Sequence, residues 1–508
     1  MRHLHLLVFA LAACPRPQPA PEPPVTEEAE RPSVVPQQLR RLSNDELLAG
    51  ATALAPAARL PKLNPDPLVQ GFDNDARALV VSEQKFDDLL AIAEVVSNAL
   101  TNPPPCAASD AACQRATVAG WVKQGWGRPA TDDELDRLLA LGDTSTLALA
   151  AQAIVLSPSF VYRTEFGSGT GPTPHLTQLE VAQALSFAIT GARPDELLIA
   201  DALAAKLLDP DVRVAHARRL FETPVGRTHA RDVLKAWLGV RGLIGVPKDG
   251  LYDLYTIPKR ASLERELDAA ITDALFDHPT SVKGLLTRPT AWPDELVQSF
   301  YTSDLLGPPN AFSPVAVDPS RRRGVLTMPG FLSRHSNRSG TTPVHMGVFL
   351  KTQLLCQEVP PPPPDVLANT PPTPAGARTT RERLTAHAAA PRCQGCHRLF
   401  DSLGFAFEGY DHFGRARTMD NGVPVDASGT LMGTDVDGPF TGAPQLIEKL
   451  GDSVVVRRCV AQQLWRASVG RPIELPEEQQ VPIDEPLVDL FLDVVRSDRF
   501  VTRTRVTP

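Results

Sequence analysis

Apolar residues recur along most of this chain with a spacing of three to four, and stretches that alternate in twos are scarce. The segment QKFDDLLAIAEVVSNAL (84–100) places Phe86, Leu89, Leu90, Ala93, Val96 and Leu100 on one face of a helix. Thr131-Asp132-Asp133-Glu134 is a capping box that opens one helix, and Thr177-Gln178-Leu179-Glu180 opens another. Ala148 to Leu156 is apolar almost all round, the pattern of a buried helix, and Ser157-Pro158 ends it. VRVAHARRLFETP, THARDVLKAWLGV and SLERELDAAITDALF continue the helical period. The pattern predicts a mainly α, multidomain helical protein.

Breaks fall at Asn102 to Pro105, between Gly167 and Pro174, and at VPPPPPDVLANTPPTP from Val359 to Pro374, the clearest linker. They delimit an N-terminal helical domain (38–101), a small helical domain (106–166) and a central helical domain (174–300). A domain holding a CxxCH motif follows (318–430, with the Pro-rich linker at 359–374), and then a C-terminal helical segment (431–503). No internal repeat is visible.

The chain opens MRHLHLLVFALAACPRPQPAPEPP. Arg2 and the apolar run from Leu4 to Ala13 have the make-up of a signal peptide, too short for a permanent membrane span. Leu11-Ala12-Ala13-Cys14 looks like a bacterial lipobox, which makes residues 1–14 a lipoprotein signal and Cys14 the lipidated residue. The alternative is an ordinary secretory signal with a chance cysteine after it. From Pro15 to Gln37 the chain is Pro-, Glu- and Ala-rich, a disordered tether that at ~3 Å per residue reaches roughly 70 Å. The expectation is an exported lipoprotein of the cell envelope, on the periplasmic or surface face of an outer membrane, touching lipid only through its anchor.

Hydrophobic content of 43% and charged content of 22% are those of an ordinary globular protein. With 51 basic and 59 acidic residues the net charge is −8, which gives no footprint for nucleic acid. Seven cysteines divide suggestively: Cys14 is taken by lipid, Cys393 and Cys396 form a close pair, and Cys106, Cys113, Cys356 and Cys459 remain. In an oxidising compartment that even remainder reads as two disulfides, one closing the short 106–113 loop and one tying 356 to 459, with buried free thiols as the alternative.

The close pair lies in APRCQGCHRLFDSLGF, where Cys393, Cys396 and His397 have c-type haem spacing. With seven Cys and 11 His in 508 residues, chance supplies such a motif only ~0.002 times. Two thiols at this spacing add across the haem vinyl groups, and the adjacent His397 becomes the proximal iron ligand. A structural disulfide and a zinc site, with His387 or His412 as further ligands, are the other readings. Met432 is the leading distal ligand, because it leaves more chain to wrap the haem than Met419; His412 and an open position are the alternatives. No GxSxG, HExxH, Walker loop or GxGxxG in a strand-to-helix setting occurs. Asp73-Asn74-Asp75 lacks the rest of a calcium loop and reads as an Asx turn.

RRLSNDELLAGATAL, CAASDAACQRATVAGWVKQGWGRPATDDEL, LTQLEVAQALSFAITGARPDELL, RRRGVLTMPGFLSRHSN, TTPVHMGVFLKTQLLCQEVPPPPPDV and RCQGCHRLFDSLGFAFEGYDHFGRART follow one another in this order. In that order they resemble the large exported proteins of planctomycetes and myxobacteria built from consecutive domains of unknown function with a cytochrome-c-like C-terminal part. The CxxCH followed by Asp-x-Leu-Gly-Phe-x-x-Glu is the most diagnostic stretch. One departure is His345-Met346-Gly347, where those proteins usually show Arg-Gly; it removes an ion pair or brings a new ligand near haem. Asp401, Glu408 and Asp411 hydrogen-bond haem propionates or orient His397, or else serve a turn; Arg415 and Arg417 pair with propionates or face solvent. The resemblance implies haem c without naming a reaction.

Two functions compete. In the first the chain is an envelope-anchored monohaem c-type lipoprotein that exchanges electrons with a redox partner protein. In the second it is a non-haem surface scaffold or polymer-processing protein whose CxxC is a structural disulfide.

Overall fold

The computed structural model describes residues 35–142, 146–249, 254–360, 376–389, 391–475 and 481–505. The leader with Cys14, the tether as far as residue 34 and most of the Pro-rich linker lie outside the described residues. The molecule is mainly helical, and the strands described are four two-stranded antiparallel ribbons. No helix among the described residues is long and apolar enough to cross a membrane.

The helices gather on two cores. The first is built by Asn44–Leu54, Glu83–Thr101, Ala111–Trp126, Asp132–Leu139 and Thr146–Leu156, and it buries Leu47, Ile92, Val96, Val122 and Ile154. The second gathers Val35, Phe72 and residues between Leu176 and Val501, and takes in the central helices, the CxxCH segment and the C-terminal helices. Local sequence sets the helix starts: Thr131 and Thr177 accept the N3 amides while Glu134 and Glu180 reach back, both as reciprocal boxes. In Glu83–Thr101 the buried stripe is Leu89, Ile92, Ala93, Val96 and Ser97, whereas Phe86 and Leu90 are exposed. The face expected from spacing alone is therefore rotated: Lys85 and Asp88 are buried as an ion pair and carry the helix toward the first core.

Ion pairs and covalent ties join the parts. Strand Gln38–Arg41 pairs with Tyr162–Glu165, and the start of the described chain meets its end, where Gln37 donates to the Thr504 carbonyl. Val35, within the expected tether, is buried there. Glu165 sits fully buried between Arg163 and Arg503. Asp73 pairs with Arg241, Asn74 donates to the Ala467 carbonyl, and Asp75 binds Arg77 and Arg466, so this triplet links distant segments. The Arg77 amide also donates to the Asp75 carboxylate two residues back, which is an Asx turn. Disulfides join Cys106 to Cys113 and Cys356 to Cys459. Arg322 pairs with Asp304 and donates to the carbonyls of Phe300, Thr327 and Gly414, stacking over Tyr301 and Tyr410. It fastens the end of the central helices to the segment that follows the CxxCH motif.

Candidate haem-attachment site

The motif lies inside one helix, Pro391–Phe405. Three and four residues along a helix return to the same face, so Cys393, Cys396 and His397 share one side, and Phe400 and Asp401 continue it. Cys393 is buried and Cys396 half-buried, and both are free thiols while the other four described cysteines are joined in disulfides.

The His397 Nδ1 lies 3.0 Å from each carboxylate oxygen of Asp401, one turn further along. A carboxylate accepts, so in the neutral ring the proton is placed on Nδ1 and Nε2 keeps the lone pair. Both side chains are shielded, at 15% and 11% exposure, which keeps water from competing for the bond. Burial raises the Asp401 carboxyl, and the opposing pull of His397 offsets only part of that. The His387 ring stands edge-on to His397 with centroids 5.2 Å apart, and Phe400 lies at 5.4 Å. His387 comes from the preceding helix, Thr380–Ala388, which Thr379 and Glu382 open with a capping box legible in the sequence.

Two glycines fix the motif helix. A Cβ on Gly404 would stand 1.9 Å from the Pro343 carbonyl oxygen, and one on Gly347 would stand 2.1 Å from the Phe400 carbonyl oxygen. The helix Pro343–Phe349 therefore crosses Pro391–Phe405 backbone to backbone, which neither partner would allow with a side chain at these points. On another side the Ser402 hydroxyl donates to the Thr430 carbonyl of strand Ser428–Leu431. Leu403, Ala406 and Phe407 enter the second core.

The charged residues after the motif are engaged within the chain. Arg415 pairs with Asp411 at 2.7 Å, and Arg417 pairs with Glu408 at 2.8 Å and Asp420 at 3.1 Å. Both guanidinium groups are thus held by carboxylates of their own chain and are partly exposed. Asp411 accepts from the amides of Phe413 and Arg415 and so shapes the turn. Burial lifts Glu408 to about 7 against the pull of Arg417. Glu408 also lines a cleft of about 530 Å³ with Arg381, Thr385, Ala386, Asp420 and Val425.

The other ligand candidates are dispersed. Met432 follows the strand that packs on the motif helix and is half-exposed, as is Met419. His412 has its pKa lowered by burial and lies with Phe413. His345 is exposed and its charge acts on His335, while Met346 is buried. Among the described residues no three His, Cys, Asp or Glu side chains converge as ligands of a metal ion, so the zinc reading lacks a ligand set. The donor set fits haem c: two free thiols three apart and, beside them, an imidazole with Nε2 available, all on one helix face.

Three family models match the chain in consecutive order. Residues 40–102 match PSD3, a protein of unknown function (DUF1587), and residues 176–302 match PSD4, a protein of unknown function (DUF1592). Residues 322–420 match PSCyt3, a protein of unknown function (DUF1588), which makes the C-terminal part cytochrome-like. No curated protein and no solved structure matches the chain.

Proposed function

We propose that this chain is an exported, lipid-anchored monohaem c-type protein that exchanges electrons with a redox partner protein at the cell envelope. The reading rests on one juxtaposition: Cys393 and Cys396 as free thiols and His397 with Nε2 available, together on one helix face. Bound there, haem c would supply one-electron redox chemistry. Cys393 and Cys396 hold it through two thioethers, His397 is the proximal ligand, and Met432 is assigned as the distal ligand. The pairs Cys106–Cys113 and Cys356–Cys459 suit an oxidising compartment, which supports export, and Cys14 is assigned the lipid.

The test is expression of the full chain in a bacterial periplasm with cytochrome maturation genes, followed by haem staining of a denaturing gel. A stained band in wild type, absent from C393A/C396A, is the expected result. Met432→Ala keeps the stain and loses the thioether-to-iron band of the oxidised spectrum. A wild-type mass equal to polypeptide plus acyl groups, with Cys393 joined to Cys396, overturns the proposal in favour of a structural disulfide.

A further inference from the structure

We infer that Asp401 is a positioning residue that sets the redox poise of the site, holding His397 with Nε2 toward the iron and favouring the oxidised metal. This rests on the haem reading above and adds to it which protein group tunes the potential. Both carboxylate oxygens of Asp401 lie 3.0 Å from Nδ1, and the pair is spaced one helical turn apart. The helix itself therefore dictates the contact, before any cofactor binds. Among the described residues the ion pair of Asp401 is with His397, and the charges acting on it are those of His397 and His387. Among the described residues no guanidinium or ammonium group pairs with it, so its negative charge falls on the Nδ1 proton.

The chemical consequence follows from sharing that proton. A carboxylate drawing on Nδ1–H raises the electron density of the ring, and Nε2 becomes a stronger donor than an imidazole bonded to a neutral carbonyl. Stronger donation stabilises the more highly charged iron, which lowers the reduction potential. The assigned thioether of Met432 acts in the opposite direction. Asp401 thus pulls the site below the potential that a His–Met pair alone would give.

The experiment compares wild type, Asp401→Asn and Asp401→Glu as full-length, haem-stained protein, by redox titration followed optically. At a fixed ambient potential, Asp401→Asn is expected to show a reduced-to-oxidised ratio at least about tenfold higher than wild type, equivalent to about 59 mV for one electron. Asp401→Glu, which keeps the charge, is expected to stay closer to wild type than Asp401→Asn. Equal haem content with potentials inside a threefold ratio overturns the inference and leaves the haem reading intact. Absence of covalent haem from wild type overturns both. Should Asp401→Asn fail to accumulate, nitrogen NMR of histidine-labelled, haem-free wild type decides: His397 protonated on Nδ1 is required, and a proton on Nε2 overturns the assignment.

Discussion

Replacing Glu165 with Gln isolates the buried charge network that closes the two ends of the described chain on each other. Glu165 is fully buried, as are Arg163 and Arg503 on either side. Arg503 reaches one carboxylate oxygen with Nη2 at 2.6 Å and Nε at 2.8 Å, Gln38 donates to the same oxygen at 2.8 Å, and Arg163 takes the other. Burial pushes the carboxyl up, but the two guanidinium groups outweigh it and leave the pKa at about 2 against an ordinary 4.5. At about 1.4 kcal/mol per pH unit, that favours the ionised group in the folded state by about 3 kcal/mol. The figure agrees with the ~3–5 kcal/mol that follows when one member of a buried pair is removed and its partners stay charged. Burial lowers Arg163 as well, to about 10, so it remains a cation at neutral pH. The folded pKa lies below the unfolded one, so the contribution is complete above pH 4.5 and is lost as pH falls through 4.5 toward 2. Denaturant unfolding at pH 7 is therefore expected to place E165Q about 3 kcal/mol below wild type, with the gap roughly halved at pH 3. Equal stability at pH 7, or a gap that does not narrow on acidification, refutes the reasoning.

Glu266 predicts the opposite pH response. Burial raises it to about 8 although the Tyr301 hydroxyl donates to it at 2.6 Å. The fold then keeps a proton that the unfolded chain releases, so stability declines from pH 4.5 to 8, by an amount on the order of 4 kcal/mol. E266Q is expected to remove that decline, read as unfolding free energies at pH 5 and pH 8. At the motif helix, Gly404→Ala drives a Cβ into the Pro343 carbonyl group and is expected to cost about 1–3 kcal/mol in chemical denaturation. Gly395→Ala, where a Cβ meets nothing within 4 Å, is expected to be neutral or to stabilise by up to about 1 kcal/mol.

What the sequence made legible was what is local. A capping box needs four consecutive residues, and Thr131/Glu134 and Thr177/Glu180 both open helices where the pattern places them. The CxxCH face could be drawn because all of its members sit within one helix, and Asp401 is one of the nearby carboxylates that the sequence offers to propionates, to His397 or to a turn. Long-range contacts left no such trace. Nothing near Glu165 points to Arg503, 338 residues away, and nothing near Asp75 points to Arg466. The rotation of Glu83–Thr101 has the same origin: Lys85 is drawn inward by Asp88, the Asn44 side chain and the Asn64 carbonyl, so a charged residue displaces Phe86 from the buried face. His387 beside His397, and the glycines at which two helices touch, depend on tertiary packing that helical periodicity does not encode.

The size of the helical part, large for a single haem motif, has a physical explanation in the second core. The residues that anchor the motif helix, Leu403, Ala406, Phe407, Tyr410 and Phe413, belong to the same continuous apolar cluster as Leu185, Leu234 and Leu267 of the central helices. Arg322 binds carbonyls on both sides of that boundary, and the Cys356–Cys459 disulfide ties the segment beyond the crossing helix to Val454–Val469. A segment cut at the motif's own limits would expose that apolar surface and leave Arg322 without the Phe300 carbonyl and the Asp304 carboxylate, losses that hydrophobic burial and hydrogen bonding both penalise. The helices before the motif are thus part of what holds Cys393, Cys396 and His397 in register. The CxxCH helix and the central and C-terminal helices therefore share one apolar core.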